Sequence, residues 1–382
     1  MLRLVRWTLV VALLWPLSAF GQPVDLILQK QTFSMPSYTT VAGATIKDVK
    51  IGWEAAGTLN ADKSNAVLIT HFFTATSHAF GKYSKEDKAA GYWDYLIGPG
   101  KVIDTNKYYV LSSDTLTNVN VNAPNVVTTG PASIDPDTGK PYGMSFPVVS
   151  IKDFVRVQKA LIDSLGIKKL HAVVGASMGA LQAYEWAETY PDAVERIIPV
   201  VGAPAGDPFL IAWLDVWAAP IRIDPNWNHG DYYGKTPPNA GLQAAYRAII
   251  VHANAWEWAN KSFGLAPADP AKDPGAAMDN KFKVQAVIDA VAMQRAAAAD
   301  ANSLLYLVKA NQLANVDPSK IKVPTLVLYA PGDLVFYAPA LEAEVAKIAG
   351  AESAQLQGPN GHINGVVAVA QQGDKIKAFL ER

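Results

Sequence analysis

The run His171-Ala172-Val173-Val174-Gly175-Ala176-Ser177-Met178-Gly179-Ala180 decides how this chain is read. Its first half is a short apolar stretch of the buried-strand kind. It breaks into Gly-x-Ser-x-Gly and continues as Leu181-Gln182-Ala183-Tyr184-Glu185-Trp186-Ala187, a helix-forming sequence. The order is strand, sharp turn, helix. A serine held at such a corner leaves no room for side chains on its neighbours, which is the steric reason for glycine on both sides. Ser177 then projects from the turn, where the unpaired N–H groups of the first helical turn favour negative charge developing on an oxygen.

The rest of the composition narrows the class. The chain has 382 residues, half of them hydrophobic and 18% charged, which suits a globular protein with a sizeable core. Its 33 basic and 34 acidic residues are interspersed, leaving a net charge of −1 and no electrostatic footprint for nucleic acid or an anionic membrane. Cysteine is absent, so disulfides, thiolate catalysis and cysteine metal sites are excluded. No metal site or cofactor is expected.

The first residues have the pattern of a secretion signal. Arg3 and Arg6 precede an apolar run from Trp7 to Leu17, and Ala19-Phe20-Gly21 offers small residues before Gln22. The apolar run is shorter than the roughly 20 residues a membrane span needs, so cleavage before Gln22 is expected, leaving an exported periplasmic or secreted protein without stable membrane association. Residues 1–21 are therefore set apart as a signal peptide.

Outward from the serine turn, the elements alternate as in an α/β fold. Asp25 to Gly57 reads as an antiparallel hairpin at a sheet edge, with Val49, Ile51 and Trp53 on one face. Asn65 to Thr70 is a continuous apolar strand that runs into His71-Phe72-Phe73-Thr74. Further strands are expected at Tyr108 to Leu111, Arg196 to Val200, Val323 to Tyr329 and Glu352 to Gln357, with helices over Phe154 to Leu165 and Val366 to Leu380. These define a mostly parallel central sheet flanked by helices, an α/β-hydrolase fold with its nucleophile elbow at Ser177. From about Asp207 to Ala314 the βα alternation gives way to helix-like sequence, where such folds insert a lid. The expected organisation is core over 22–204, helical lid over 205–315 and core again over 316–382. Ala286 to Ala301 is expected as one alanine-rich scaffold helix. The lid carries Trp213, Trp217, Trp227, Tyr232, Tyr233, Tyr246, Trp256 and Trp258, rings that either wall a substrate pocket or pack the lid onto the core.

A serine hydroxyl needs a base within hydrogen-bond reach and a third group to fix that base's tautomer. In α/β-hydrolases the chain order is Ser, then Asp or Glu, then His. Asp333, just past the strand ending at Tyr329, and His362, in Gly361-His362 after the last strand, complete that order with Ser177. His229 and His252 fall in the lid, and His71 sits at a strand end where it either orients the adjoining loop or is architectural.

Several blocks resemble one family. Gly91-Tyr92-Trp93-Asp94, Gly98-Pro99-Gly100-Lys101 and Asp104-Thr105, then Gly130-Pro131-Ala132-Ser133, Pro141-Tyr142-Gly143 and Ile151-Lys152-Asp153, and finally the elbow with Glu185-Trp186 and Tyr190-Pro191-Asp192 are similar in order to the homoserine O-acetyltransferase family of α/β-hydrolase-fold enzymes. The likeness is close over roughly Val49 to Trp227. It implies that the backbone N–H groups of Met178 and Phe73 form the oxyanion hole, Phe73 standing where the family has Leu in its His-x-Leu loop. It also implies a homodimer, as the family is often dimeric. The departures fall on substrate recognition. Phe73-Thr74-Ala75 replaces Leu-Thr-Gly, Ala176 and Ala180 replace elbow glycines, and Ile363-Asn364-Gly365 replaces Asp-Ala-Phe after the histidine. The family binds the amino-acid carboxylate through an arginine of the first lid helix; Arg247 is the nearest candidate but is out of register, and Tyr232 and Trp213 are further candidate substrate contacts.

Acetyl-CoA is a cytoplasmic metabolite, so an exported acetyltransferase would lack its donor. The sequence therefore reads as an exported serine hydrolase that cleaves an ester or related acyl bond of a small molecule through an acyl-enzyme. The alternatives are an O-acyltransferase of the homoserine O-acetyltransferase type and a non-catalytic binding protein on the same fold.

Overall fold

The computed structural model describes residues 26–382; the signal-peptide reading lies outside them. Ten strands follow in chain order: β1 (Gln31–Thr39), β2 (Thr45–Ala56), β3 (Ala66–Thr70), β4 (Ile97–Gly98), β5 (Ile103–Asp104), β6 (Tyr109–Ser113), β7 (Ala172–Ala176), β8 (Ile197–Val200), β9 (Leu326–Tyr329) and β10 (Glu352–Gln355). Eight of them form one sheet in the order β1-β2-β6-β3-β7-β8-β9-β10, while β4 and β5 pair separately. The edge hairpin β1–β2 and the β2–β6 pairing are antiparallel; every pairing from β6 to β10 is parallel. This is the α/β-hydrolase architecture expected from the sequence.

The continuous apolar runs explain the centre. Every residue of β3 and β7 is buried, because helices or loops cover both faces of a parallel sheet. Alternate side chains go to opposite sides. Leu68 and Val173 join the core under α1 (Ile151–Ser164) and α2 (Met178–Thr189), while Val67, Ile69 and Val174 join a second core with Trp93 and the C-terminal Phe379. Helix α1 begins three residues before the expected Phe154, because Ser150 and Asp153 form a reciprocal capping box. Asp153 also accepts from Tyr38 Oη and Val41 N, both at 2.7 Å, fastening the helix to the edge hairpin.

Between β8 and β9 run five helices: α3 (Pro208–Ile223), α4 (Asn239–Ala253), α5 (Trp256–Ser262), α6 (Lys283–Ala298) and α7 (Ala301–Gln312). The chain leaves and returns through a neck where Ala205 bridges Asn315 and Val316 N donates to Pro204 O at 3.1 Å. Two expected helices are broken. The alanine-rich stretch stops at Ala298 because buried Asp300 caps α7 through Ser303 N and accepts from Tyr232 and Tyr233. After α8 (Ala338–Val345), the C-terminal segment forms a short α9 (Asn364–Val367), a 3₁₀ turn over Val369–Gln372 and α10 (Gly373–Leu380).

Candidate active site

The elbow at Ser177 has the strain that its sequence demands. Ser177 precedes α2 with φ 55° and ψ −119°, a conformation that L-residues seldom adopt. A Cβ on Gly175 would stand 2.0 Å from Thr70 Oγ1, and one on Gly179 would stand 2.1 Å from Thr70 O. The end of β3 therefore presses directly against the turn, and Thr70 Oγ1 donates to Gly179 O at 2.8 Å.

Asp333 and His362 come together across the ends of β9 and β10. His362 Nδ1 lies 2.8 Å from Asp333 Oδ2, and both side chains are nearly buried. Asp333 Oδ1 accepts from Val335 N at 2.8 Å and Phe336 N at 3.0 Å, so the loop aims the other oxygen at the imidazole. The carboxylate holds the proton on Nδ1 and leaves Nε2 as acceptor. His362 and Ser177 line the same cavity, of about 250 Å³; no hydrogen bond joins the two among the described residues. Such contacts often tighten only with substrate in place.

Facing Ser177 across the cavity are Phe72, Phe73 and Thr74 from the loop after β3. Among the described residues, neither the Phe73 nor the Met178 backbone N–H donates a hydrogen bond within the protein, so both are free for a ligand oxygen. The helical insertion supplies the roof through Trp217 of α3, Tyr246, Ile249 and Ile250 of α4, Trp258 of α5, and Val287, Ile288, Val291 and Arg295 of α6. Arg295 is its cation, and no carboxylate side chain lines the cavity among the described residues. A strained serine, a carboxylate-oriented imidazole, two free amides and a largely apolar chamber are the parts that covalent acyl chemistry uses.

The three substrate contacts proposed from sequence lie elsewhere. Arg247 points outward and pairs with Asp289 at 2.7 Å, its side chain 49% exposed. Tyr232 is buried against Asp300, and Trp213 stacks on His252 with ring centroids 4.2 Å apart. The aromatic roof is therefore Trp217, Tyr246 and Trp258, while most of the other rings pack the insertion together. No periodicity or motif signals that His252 reaches across to the acid loop, where its Nε2 donates to Leu334 O at 2.8 Å. His71 is fully buried, and burial lowers its pKa below the ordinary value and keeps the ring neutral.

Comparison with known proteins agrees with this fold. A family profile described as "alpha/beta hydrolase fold" matches residues 123–352. Fold and site thus define an enzyme of the α/β-hydrolase type. A homoserine O-acetyltransferase of Methanosphaerula palustris is 38% identical over 353 residues, covering 89% of this chain and 70% of that protein. One from Methanococcoides burtonii is 41% identical over 272 residues, and there the chain covers 54% of the relative's length. The chain belongs to the homoserine O-acetyltransferase family. Among solved structures, esterase E22 is 44% identical with a TM-score of 0.88, covering 93% of this chain and 100% of that one. The homoserine O-acetyltransferase from Bacillus anthracis is 36% identical, also at 0.88, covering 94% and 98%.

Proposed function

We propose that this protein transfers acyl groups through a covalent intermediate on Ser177. His362 takes the Ser177 proton as Oγ attacks the acyl carbonyl carbon, and Asp333 holds the imidazolium that results. The Phe73 and Met178 N–H groups receive the oxyanion. Collapse of the tetrahedral adduct breaks the bond to the leaving alkoxide or thiolate, which takes the proton from His362. A second acceptor then attacks the acyl-enzyme, His362 removes its proton, and that proton returns to Ser177.

Water is the acceptor that the chamber's chemistry favours, making the protein an ester hydrolase. The observation that carries this is that no carboxylate among the described residues lines the cavity. A homoserine ammonium would enter an apolar site without a counter-charge, which is costly. Arg247, turned outward, offers no clamp for its carboxylate, so Arg295 alone among the described lining residues could pair with it, and the ammonium would still lack a partner. The likeness to esterase E22 supports the same reading. The curated relatives, named homoserine O-acetyltransferases, favour the second reading, acetyl transfer from acetyl-CoA to homoserine. In either reading, residues 205–315 act as a lid over the acyl site; in the hydrolase reading the N-terminal pattern directs the chain to export.

The test is thiol release from acetyl-CoA with and without homoserine, beside hydrolysis of p-nitrophenyl acetate, with Ser177→Ala as control. Ester cleavage without homoserine dependence supports the hydrolase. Homoserine-dependent thiol release overturns it in favour of the transferase. The Ser177→Ala variant is expected to lose about 10³-fold or more in turnover, and retained activity removes Ser177 from the mechanism.

A further inference from the structure

Two buried polar side chains touch both arms of the oxyanion hole without facing the cavity. The first is His71, at the end of β3. Its Nδ1–H donates to Phe72 O at 2.9 Å, while Asn118 Nδ2 approaches Nε2 at 3.3 Å. The neutral ring therefore has one tautomer, with the proton on Nδ1. Phe72 O also accepts from Ala75 N at 3.0 Å, so this carbonyl is held from two sides. In a trans peptide the following N–H points opposite to the carbonyl. Fixing Phe72 O therefore fixes the direction of the Phe73 N–H.

The second is Gln182, one turn into α2 and fully buried. Its Nε2 donates to His71 O at 3.3 Å and to Met178 O at 3.2 Å, joining the β3 loop to the elbow. Its Oε1 accepts from Gln158 Nε2 at 2.7 Å, and Gln158 Oε1 accepts from Trp186 Nε1 at 2.9 Å. The bridge is thus anchored from behind by α1 and α2. Asn118 and Asn120 complete the frame by donating to Ala75 O at 3.0 Å and Thr74 O at 3.1 Å.

We infer that His71 and Gln182 are positioning residues that aim and space the Phe73 and Met178 N–H groups, an inference that rests on the acyl-enzyme reading above. An oxyanion donor works only when it already stands where the charge develops, so a small misdirection is felt in the transition state more than in substrate binding. Neither side chain lines the cavity where substrate would sit, so its loss should lower kcat and leave KM nearly unchanged.

The experiment compares His71→Leu and Gln182→Met in the mature protein, measuring kcat and KM for p-nitrophenyl acetate and the inhibition constant of phenylboronic acid, which forms a tetrahedral adduct on serine. Each substitution is expected to lower kcat by about 10- to 100-fold and weaken boronate inhibition in parallel. His71→Asn, whose amide N–H can stand where Nδ1–H stands, should restore most of both. If either variant fails to fold, Gln158→Met carries the test, since it removes the anchor of Gln182, together with the acceptor of Trp186 Nε1, without touching the β3 loop or the elbow, and should shift both readouts the same way by less. Boronate inhibition equal to the parent's in folded variants overturns the inference. Full turnover in Ser177→Ala overturns the acyl-enzyme reading beneath it.

Discussion

At the scale of single residues, the site is governed by what each backbone position permits. Ser177 carries a positive φ that is tolerated because β3, α2 and the strand β7 beside them hold the turn from three sides. Gly175 and Gly179 have no alternative, since either Cβ would overlap Thr70. Asp333 offers a cleaner separation of chemistry from folding. In Asp333→Asn the remaining amide oxygen can keep the bonds from Val335 N and Phe336 N, so the loop should stay folded. What changes is the group facing His362 Nδ1, which loses its charge and its hold on the tautomer. The expected outcome is a fall in kcat of about 10³- to 10⁴-fold with the thermal midpoint nearly unchanged, read by steady-state kinetics and a melting curve.

At the scale of elements, α4 shows why neighbours in sequence part company. Successive helical residues are turned by about 100°, so Tyr246 faces the cavity while Arg247 faces outward to Asp289. Asp289 has a second partner in Lys281, and both bonds lie at the surface. Such pairs contribute about 0.2–1 kcal/mol. Arg247→Ala is therefore expected to leave ester hydrolysis within about twofold of the parent and to cost less than about 1 kcal/mol in denaturant unfolding. A large loss of activity in that variant would restore Arg247 as a substrate contact. The break between α6 and α7 follows the same logic: Asp300 prefers to cap a new helix and bind two tyrosines over continuing an alanine-rich one.

At the scale of the whole molecule, buried ionisable groups link stability to pH. His71, His171 and His252 all have pKa values held below 6.5, chiefly by burial. The unfolded chain takes up protons on these rings before the folded one does. Their contribution is full above about pH 6.5 and is lost as the pH falls below it. Glu54 is buried, which alone would raise its pKa, but His78, Lys30 and Tyr83 more than offset this and hold it below 4.5. Its contribution is likewise present above about pH 4.5 and lost below. Melting temperature should therefore be level from about pH 8 to 6.5, fall below that and fall more steeply under about pH 4.5. A flat profile from pH 8 to 5 would contradict this assignment.

The class of fold, the serine turn and the order of Ser177, Asp333 and His362 are legible along the chain, because each depends on local chemistry. Short continuous apolar runs bounded by turns fit buried parallel strands, and glycines around a projecting serine answer a steric demand within a few residues. Only the folded chain shows which side chains line the cavity, where the alanine-rich helix breaks, and how His71, Gln182 and Asn118 meet behind the loop that follows β3. Those contacts join residues 47 to 111 positions apart, and nothing in local periodicity reports which distant polar group a buried one will find. The outward turn of Arg247 belongs to the same class, since the facing of a helix is set by what packs against it.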